Sequence, residues 1–232
     1  MADHAEPGRR RRERLSRERV LAAALGLADR EGLSALSMRR VAAELGVEAM
    51  ALYRYAPGKE ALLDGLVEAL YRELAEALAA APAEDATWRD EVQRQARETY
   101  RVALRHPRVV PLLATRMLAV PLARRPLPLL LDHERTLELL ERAGLDESAA
   151  ARAHRAITAW VLGYVFVELR AVVDNPDEPD PAFRLGLHLM PAADLPRLRR
   201  ATPALATPAG EAGLTTGLDT LLDHFGPDAG SA

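Results

Sequence analysis

The chain is 232 residues long, 49% hydrophobic and free of cysteine, with a formal net charge of −3. That length suits one large domain, or a small one joined to a larger one, with a sizeable core. The lack of thiols excludes disulfides, thiolate metal sites and a cysteine nucleophile, and no apolar run is long enough to span a bilayer. Ala, Leu, Arg and Glu dominate and aromatics are few, which favours helices over strands and predicts an all-α protein. The segment Met1–Arg19 is charged and has no apolar centre, unlike a signal peptide, so the expected location is the cytoplasm.

Charge is unevenly placed. Residues 1–60 hold twelve Lys/Arg against nine Asp/Glu, and the remainder nineteen against twenty-five. Much of the basic excess is the run Arg9, Arg10, Arg11, Arg12, Arg14, Arg17 and Arg19. A basic end on an acidic body fits a protein that meets a polyanion at one end. Residues 1–15 read as a flexible basic arm and residues 16–62 as a small helical domain. Residues 63–226 read as a larger helical body, and 227–232 as a tail.

Ser16 is placed to cap a first helix with Val20, Ala24, Leu27 and Ala28 at helical spacing, stopped by Gly32. Ser37 caps a second, carrying Val41, Ala42 and Leu45, which Gly46 ends. A third is expected over about Glu48–Tyr55, broken by Pro57-Gly58. From Lys59 a long amphipathic helix presents Leu63, Leu66, Val67, Leu70, Leu74 and Leu78, with Pro82 as its stop. Thr87 begins the next helix, whose apolar face is read as Val92, Ala96, Tyr100 and Leu104. The prolines at 111, 121, 126 and 128 predict short helices or turns over 107–128. Helices follow over Leu129–Ala143 and from Asp146 to about Asp174, the latter with Ile157, Trp160, Val161, Tyr164, Val165 and Val172 on one face. Residues 175–208 read as Pro-rich and partly loop, before a last helix with Leu214, Leu218, Leu221 and Leu222.

The stretch SMRRVAAELGVEAMALYRY, residues 37–55, has the ingredients of a helix-turn-helix. Ala42 and Ala43 are small enough for two helices to cross closely, Gly46 serves the tight turn, and Val41, Leu45, Val47 and Leu52 anchor both helices inward. Glu48, Ala49, Ala51, Arg54 and Tyr55 are left to face outward from a short helix that fits a major groove. An ordinary αα-hairpin would show much of the same pattern. The continuation LYRYAPGKEALLD, residues 52–64, together with MRRVAAELGV, closely resembles the tetracycline-repressor (TetR) family over about residues 16–66.

The resemblance implies an N-terminal three-helix DNA-binding bundle and a larger ligand-binding and dimerisation domain. It implies that Tyr53 and Lys59 contact phosphates, that Ser37 caps its helix and also reaches the DNA backbone, and that Arg39 touches a base edge. Ala49, Met50 and Ala51 fall where relatives often carry polar, base-reading residues, so readout here is expected to lean on thymine methyls and Arg54. The partners implied are double-stranded operator DNA, an unidentified small effector and a second copy of the chain.

Residues 129–169 resemble, more loosely, the C-terminal region of the tetracycline-binding subfamily. The helices at 129–143 and 146–174 are the expected dimer face. That subfamily's imidazole ligands to Mg²⁺–tetracycline correspond to Ala75 and Leu112, and Glu168 lies near a carboxylate used there but with a spacing from Gly163 one residue too long, so no such complex and no metal or cofactor is expected. Tyr71, Tyr100, Met117, His133, Trp160 and Tyr164 are candidate cavity residues for an apolar effector, and equally good core residues. His106, beside Pro107, reads as a helix end. The histidines show no H-x-x-x-H spacing and the chain has no G-x-S-x-G or phosphate-cradling loop, so it is expected not to be an enzyme. The leading expectation is a repressor released by its effector; an effector-independent DNA-binding dimer and an activator are the alternatives.

Overall fold

The computed structural model of the chain describes residues 14–80, 85–174, 177–180, 183, 186–191 and 194–225. The expected arm up to residue 13, the stop at Pro82, the side chains of Met117 and Val172, and the tail at 227–232 lie outside the described residues. All regular structure among the described residues is helical.

Helix α1, Arg17–Glu31, begins where the extended Ser16 accepts the Arg19 N–H on its Oγ at 3.3 Å. It buries Val20, Leu21, Ala24, Leu27 and Ala28. Helix α2, Met38–Leu45, is capped in the same way by Ser37, whose Oγ accepts the Arg40 N–H. It ends in a Schellman turn: Gly46 sits at φ 64°, its N–H donates to Ala43 O, and the Val47 N–H reaches back to Ala42 O at 3.0 Å. A side chain at that backbone conformation would be strained, which explains the glycine.

The third helix is shorter and tighter than expected. It is a 3₁₀ turn over Ala49–Leu52, extended by turns to Tyr55, with Ala51 N–H donating to Glu48 O and Tyr55 N–H to Leu52 O. Leu52 and Ala56 are fully buried, and the Tyr55 hydroxyl donates to Leu15 O at 2.6 Å. These anchors draw the segment toward α1 before a regular helix can establish itself.

Helix α3, Lys59–Ala80, is about 33 Å long at 1.5 Å per residue. It buries Leu62, Leu66, Val67, Leu70, Tyr71, Leu74 and Leu78, while the expected Leu63 is only half-buried. α1 crosses it at Gly65, where an added Cβ would lie 2.2 Å from Leu21 Cδ2. Helix α4, Trp88–Arg105, starts with a reciprocal capping box between Thr87 and Asp90. Its buried face runs through Val92, Ala96, Tyr100 and Ala103; Leu104, expected there, is 48% exposed because the helix turns it past the seam.

Helices α5 (Val110–Ala119), α6 (Leu127–Arg142) and α7 (Glu147–Asp174) follow. Gly144, at φ 88°, ends α6 in a second Schellman turn, and Asp146 Oδ1 accepts the Ala149 N–H to start α7. Helix α8, Pro196–Ala206, buries none of its residues. Helix α9, Gly210–Phe225, packs on α7 and α4 through the fully buried Leu214, Leu218 and Leu222.

Two apolar clusters result. One joins α1, α2, the 3₁₀ turn and α3 to Val102, Val109, Leu112, Leu113 and Leu129 of the body. The other fills the space between α4, α6, α7 and α9.

Candidate nucleic-acid interface and effector cavity

The 3₁₀ turn presents its outer side to solvent. Met50 is 78% and Tyr53 45% exposed, and Glu48, Arg54, Arg39 and Lys59 are exposed as well. Ala49, Ala51 and Ser37 are half-buried. The side chains of Arg39, Tyr53 and Lys59 make no hydrogen bond or ion pair among the described residues, whereas the neighbouring Arg40 is held by both Glu31 carboxylate oxygens at 2.6 Å. The Ser37 Oγ spends one lone pair on its cap and keeps its O–H to donate. These are the groups that a phosphate or a base edge needs.

Tyr55 does not face outward as expected. It is half-buried, its hydroxyl is committed to Leu15 O, and the Arg54 guanidinium lies 4.6 Å from its ring centre. Its place is structural: it ties the end of the turn to α1. Arg17 completes that tie, donating to Tyr55 O and to Glu68 of α3 at 2.7 Å. Sequence reasoning had placed Arg17 in the basic run; nothing local distinguishes it there.

At the other end of the small bundle, His106 caps α4, as its position beside Pro107 suggests. Its Nδ1 lies 2.8 Å from Asp29 of α1 and its Nε2 2.8 Å from Glu73 of α3. Hydrogen bonds from His106 and Arg105 outweigh burial at Glu73 and hold its carboxyl below the usual carboxylate range.

Two neighbouring spaces in the body share part of their walls. An outer cleft of about 750 Å³ is bounded by Leu113, Leu122, Leu137, Leu162 and Phe166 with Arg125, Arg155 and His154. An inner cavity of about 40 Å³ is lined by Tyr71, Gln95, Asp132, Thr136 and Ile157, among others. His133, Thr158 and Leu162 belong to both walls. The outer volume falls within the range of small-molecule sites. The inner one accommodates a water or a small polar head, no more.

Of the expected cavity residues, Tyr71 and His133 line this space. Tyr100, Trp160 and Tyr164 do not, because they serve the α7–α9 seam. The Trp160 Nε1–H donates to Leu214 O at 3.0 Å, the Tyr164 hydroxyl donates to Gly210 O at 2.7 Å, and Tyr100 packs against Tyr164. The rings fit only because α9 offers glycine opposite them: a Cβ at Gly217 would lie 2.0 Å from Trp160 Cζ2, and one at Gly213 2.4 Å from the Tyr164 hydroxyl. The side chain of Met117 is outside the described residues. Glu168 is occupied at the start of α9, accepting from the N–H groups of Ala209 and Gly210. Ala75 is exposed and Leu112 buried in the first apolar cluster.

Sequence reasoning missed Gln95, Asp132, Thr136 and His154. The available signal was phase: Gln95 shares the buried face of α4 with Val92 and Ala96, and Asp132 and Thr136 lie between Leu129 and Leu140 on that of α6. Polar residues in a buried phase are costly unless partnered. The Gln95 Nε2–H₂ donates to Asp132 Oδ1 at 2.6 Å and Thr136 Oγ1 at 2.9 Å. Gln95 Oε1 and His133 Nε2 are buried with no hydrogen-bond partner among the described residues. The His133 and His154 rings lie 4.8 Å apart, and burial lowers both, His133 to about 4, so both are neutral near pH 7.

Burial pushes the Asp132 carboxyl up to about 6, against the opposing help of Gln95 and Arg135. A raised folded value adds stability fully below the unfolded value, near 3.8, and loses it as pH rises through about 6. At pH 7.5 the protein therefore bears the cost of a buried carboxylate. Asp132→Asn keeps an acceptor for Gln95 and removes that cost. Thermal unfolding is expected to show Asp132→Asn more stable than the wild type at pH 7.5 by up to about 2 kcal/mol, with the gap closing by pH 4. A pH-independent gap would contradict the assignment.

The chain matches two family models, one described as bacterial regulatory proteins of the tetR family over residues 20–66, and the other as the tetracyclin repressor-like C-terminal domain over residues 81–224. It is 37% identical over 159 residues to an HTH-type transcriptional repressor of Streptomyces coeruleorubidus; the match covers 68% of this chain and 55% of that protein. It is 30% identical to the class D tetracycline repressor protein of Escherichia coli, over 91% of this chain and 89% of the other. Among solved structures it is similar to the TetR family protein ActR of Streptomyces coelicolor in complex with actinorhodin. That likeness has a TM-score of 0.71 and 25% identity, and covers 94% of this chain and all of ActR.

Proposed function

The chain belongs to the tetracycline-repressor family of bacterial regulators, and from that premise we propose that it is a homodimeric repressor. In this reading it holds an operator through residues 37–59 and releases it when a small, largely apolar molecule enters the cleft beside His133. The observation that carries the DNA half is the exposed 3₁₀ turn with the uncommitted donors of Arg39, Tyr53 and Lys59 around it. Tyr53, Lys59 and Ser37 hold phosphates; Arg39 and Arg54 read base edges, and Met50, Ala49 and Ala51 touch thymine methyls. Glu48, at the start of the turn, discriminates by accepting from a cytosine amino group or by repelling misplaced phosphate.

A dimer is supported by α7. Its mid-helix Gly163 is exposed with open space where a Cβ would stand, next to Phe166 at 42% and Val167 at 73% exposure. An exposed glycine inside a 28-residue helix costs about 1 kcal/mol relative to alanine, a sacrifice that makes sense if a second helix approaches there. On α6, the other expected partner face, Leu129, Leu139 and Leu140 are used within the protomer while Leu131 is 58% exposed.

The release half rests on the volume and lining of the outer cleft. The effector differs from a Mg²⁺–tetracycline complex, because Ala75 and Leu112 supply no ligand and Glu168 caps α9. No helix among the described residues is long and apolar enough to cross a membrane.

Selection of DNA from a random library by the purified protein tests the reading. The expected product is an inverted repeat with half-site centres about one helical turn, ~34–36 Å, apart. Enrichment of no sequence, or of an asymmetric one, would overturn it.

A further inference from the structure

We propose that the effector is an uncharged apolar molecule ending in a hydrogen-bond donor, a hydroxyl or phenol, which enters the inner cavity and donates its one proton to Gln95 Oε1 or His133 Nε2. This rests on the effector reading above and states what chemistry the site selects.

Gln95 is 8% exposed, and its orientation is chemically forced. Asp132 Oδ1 can only accept when ionised, so the amide must turn its NH₂ toward Asp132 and Thr136 and its carbonyl the other way. That carbonyl is left buried without a donor, and His133, another residue lining the cavity, carries its Nε2 in the same condition. A buried acceptor with no donor costs free energy that the fold recovers only when one arrives. The neutral imidazole offers an acceptor nitrogen at Nε2 when its proton sits on Nδ1. Two residues of one small cavity each carry a buried unmet acceptor, and none of its lining residues an unmet donor, a pairing that selects a donor head and rejects an ether or ketone.

The charge on the way in decides between a neutral donor and an ammonium. The outer cleft carries Arg125 and Arg155 and no acidic side chain, and the one acidic residue lining the inner cavity, Asp132, already accepts from Gln95 and lies in the field of Arg135. Arg125 acts on His133, Arg155 on His154 and Arg135 on Asp132, so cationic side chains surround the entry from α6 and α7 as well as from the loop at Arg125. An ammonium would pass two arginines and shed its water in an otherwise apolar cleft. A hydroxyl does neither. The remaining wall, Leu113, Leu122, Leu137, Leu162 and Phe166, suits a flat or branched hydrocarbon body.

Fluorescence titration of the full chain with three matched probes tests this: 1-hydroxypyrene, 1-methoxypyrene and 1-pyrenemethylamine. The hydroxyl compound is expected to bind about tenfold or more tightly than the methoxy compound, one per protomer, and the amine more weakly than the hydroxyl compound. Of Gln95→Met and His133→Phe, the one that removes the acceptor used should shrink the hydroxyl-over-methoxy preference while leaving methoxy binding in place, and retention of the full preference by both would overturn the proposal. Circular-dichroism melting reports whether each variant folds. Equal binding of the hydroxyl and methoxy probes, or tightest binding of the amine, would overturn the proposal while leaving an apolar effector cleft. Binding of none would overturn the effector reading with it.

Discussion

Arg39→Ala is expected to weaken operator binding by about 5- to 150-fold, the ~1–3 kcal/mol of one bidentate contact to guanine, and to relax selectivity at one base pair in each half-site. The side chain stands in the first turn of α2 with no partner among the described residues. Its neighbour makes the comparison sharp: Arg40 is already bound to Glu31, so Arg40→Ala should change affinity far less. Lys59→Ala should act differently again. It should weaken all sequences alike and reduce the slope of log affinity against log salt by about 1 per copy. Binding isotherms at three salt concentrations, on the selected operator and on single-base variants, separate these outcomes. Loss of selectivity in Lys59→Ala, or its full retention in Arg39→Ala, would reverse the roles proposed for the two residues.

The largest expected effect on stability is at Gly217. A methyl group there would stand 2.0 Å from Trp160 Cζ2 and within 2.7 Å of two further indole carbons. The ring cannot simply yield, because its N–H is held by Leu214 O and its neighbour Tyr164 is fixed in turn on Gly210. Gly217→Ala must either swing the indole out, losing that hydrogen bond, or lift α9 from α7. Overpacking of this kind typically costs about 1–3 kcal/mol, and an unmet indole N–H adds about 1 more. A protein of this size then melts about 5–12 °C lower. Scanning calorimetry of the variant checks it, and an unchanged midpoint would mean that the seam is looser than these distances state.

Much of the fold was legible in the chain because its stops and caps are chemically specific. Ser16, Ser37, Thr87 and Asp146 each have an oxygen that closes a helix start, and Gly46 and Gly144 each take a backbone that other residues resist. The length of the third helix was not legible. Its residues favour a full α-helix, and only tertiary anchoring at Leu52, Tyr55 and Ala56 tightens it into 3₁₀ geometry.

The site divided along the same line. Exposed residues at helix-turn-helix positions could be named because exposure follows from phase. The cavity could not, because aromatic residues announce apolar volume without saying whether a neighbouring helix already fills it. Trp160 and Tyr164 are met by α9 and Tyr100 by Tyr164, and the meeting with α9 depends on Gly213 and Gly217, more than fifty residues after Trp160. Gln95 and Asp132 gave the cavity away only once α4 and α6 were seen side by side.

The first apolar cluster has a consequence for modularity. Residues 16–62 look separable in sequence, yet their core is closed from below by Leu66, Leu70, Val102, Val109, Leu112, Leu113 and Leu129. A graft of the first 62 residues onto a foreign body would leave Leu27, Val41 and Leu62 facing an unmatched surface. The portable unit is the bundle together with the underside it rests on. Exchange of specificity between relatives is therefore easier by changing the few exposed side chains at 39–59 than by exchanging heads.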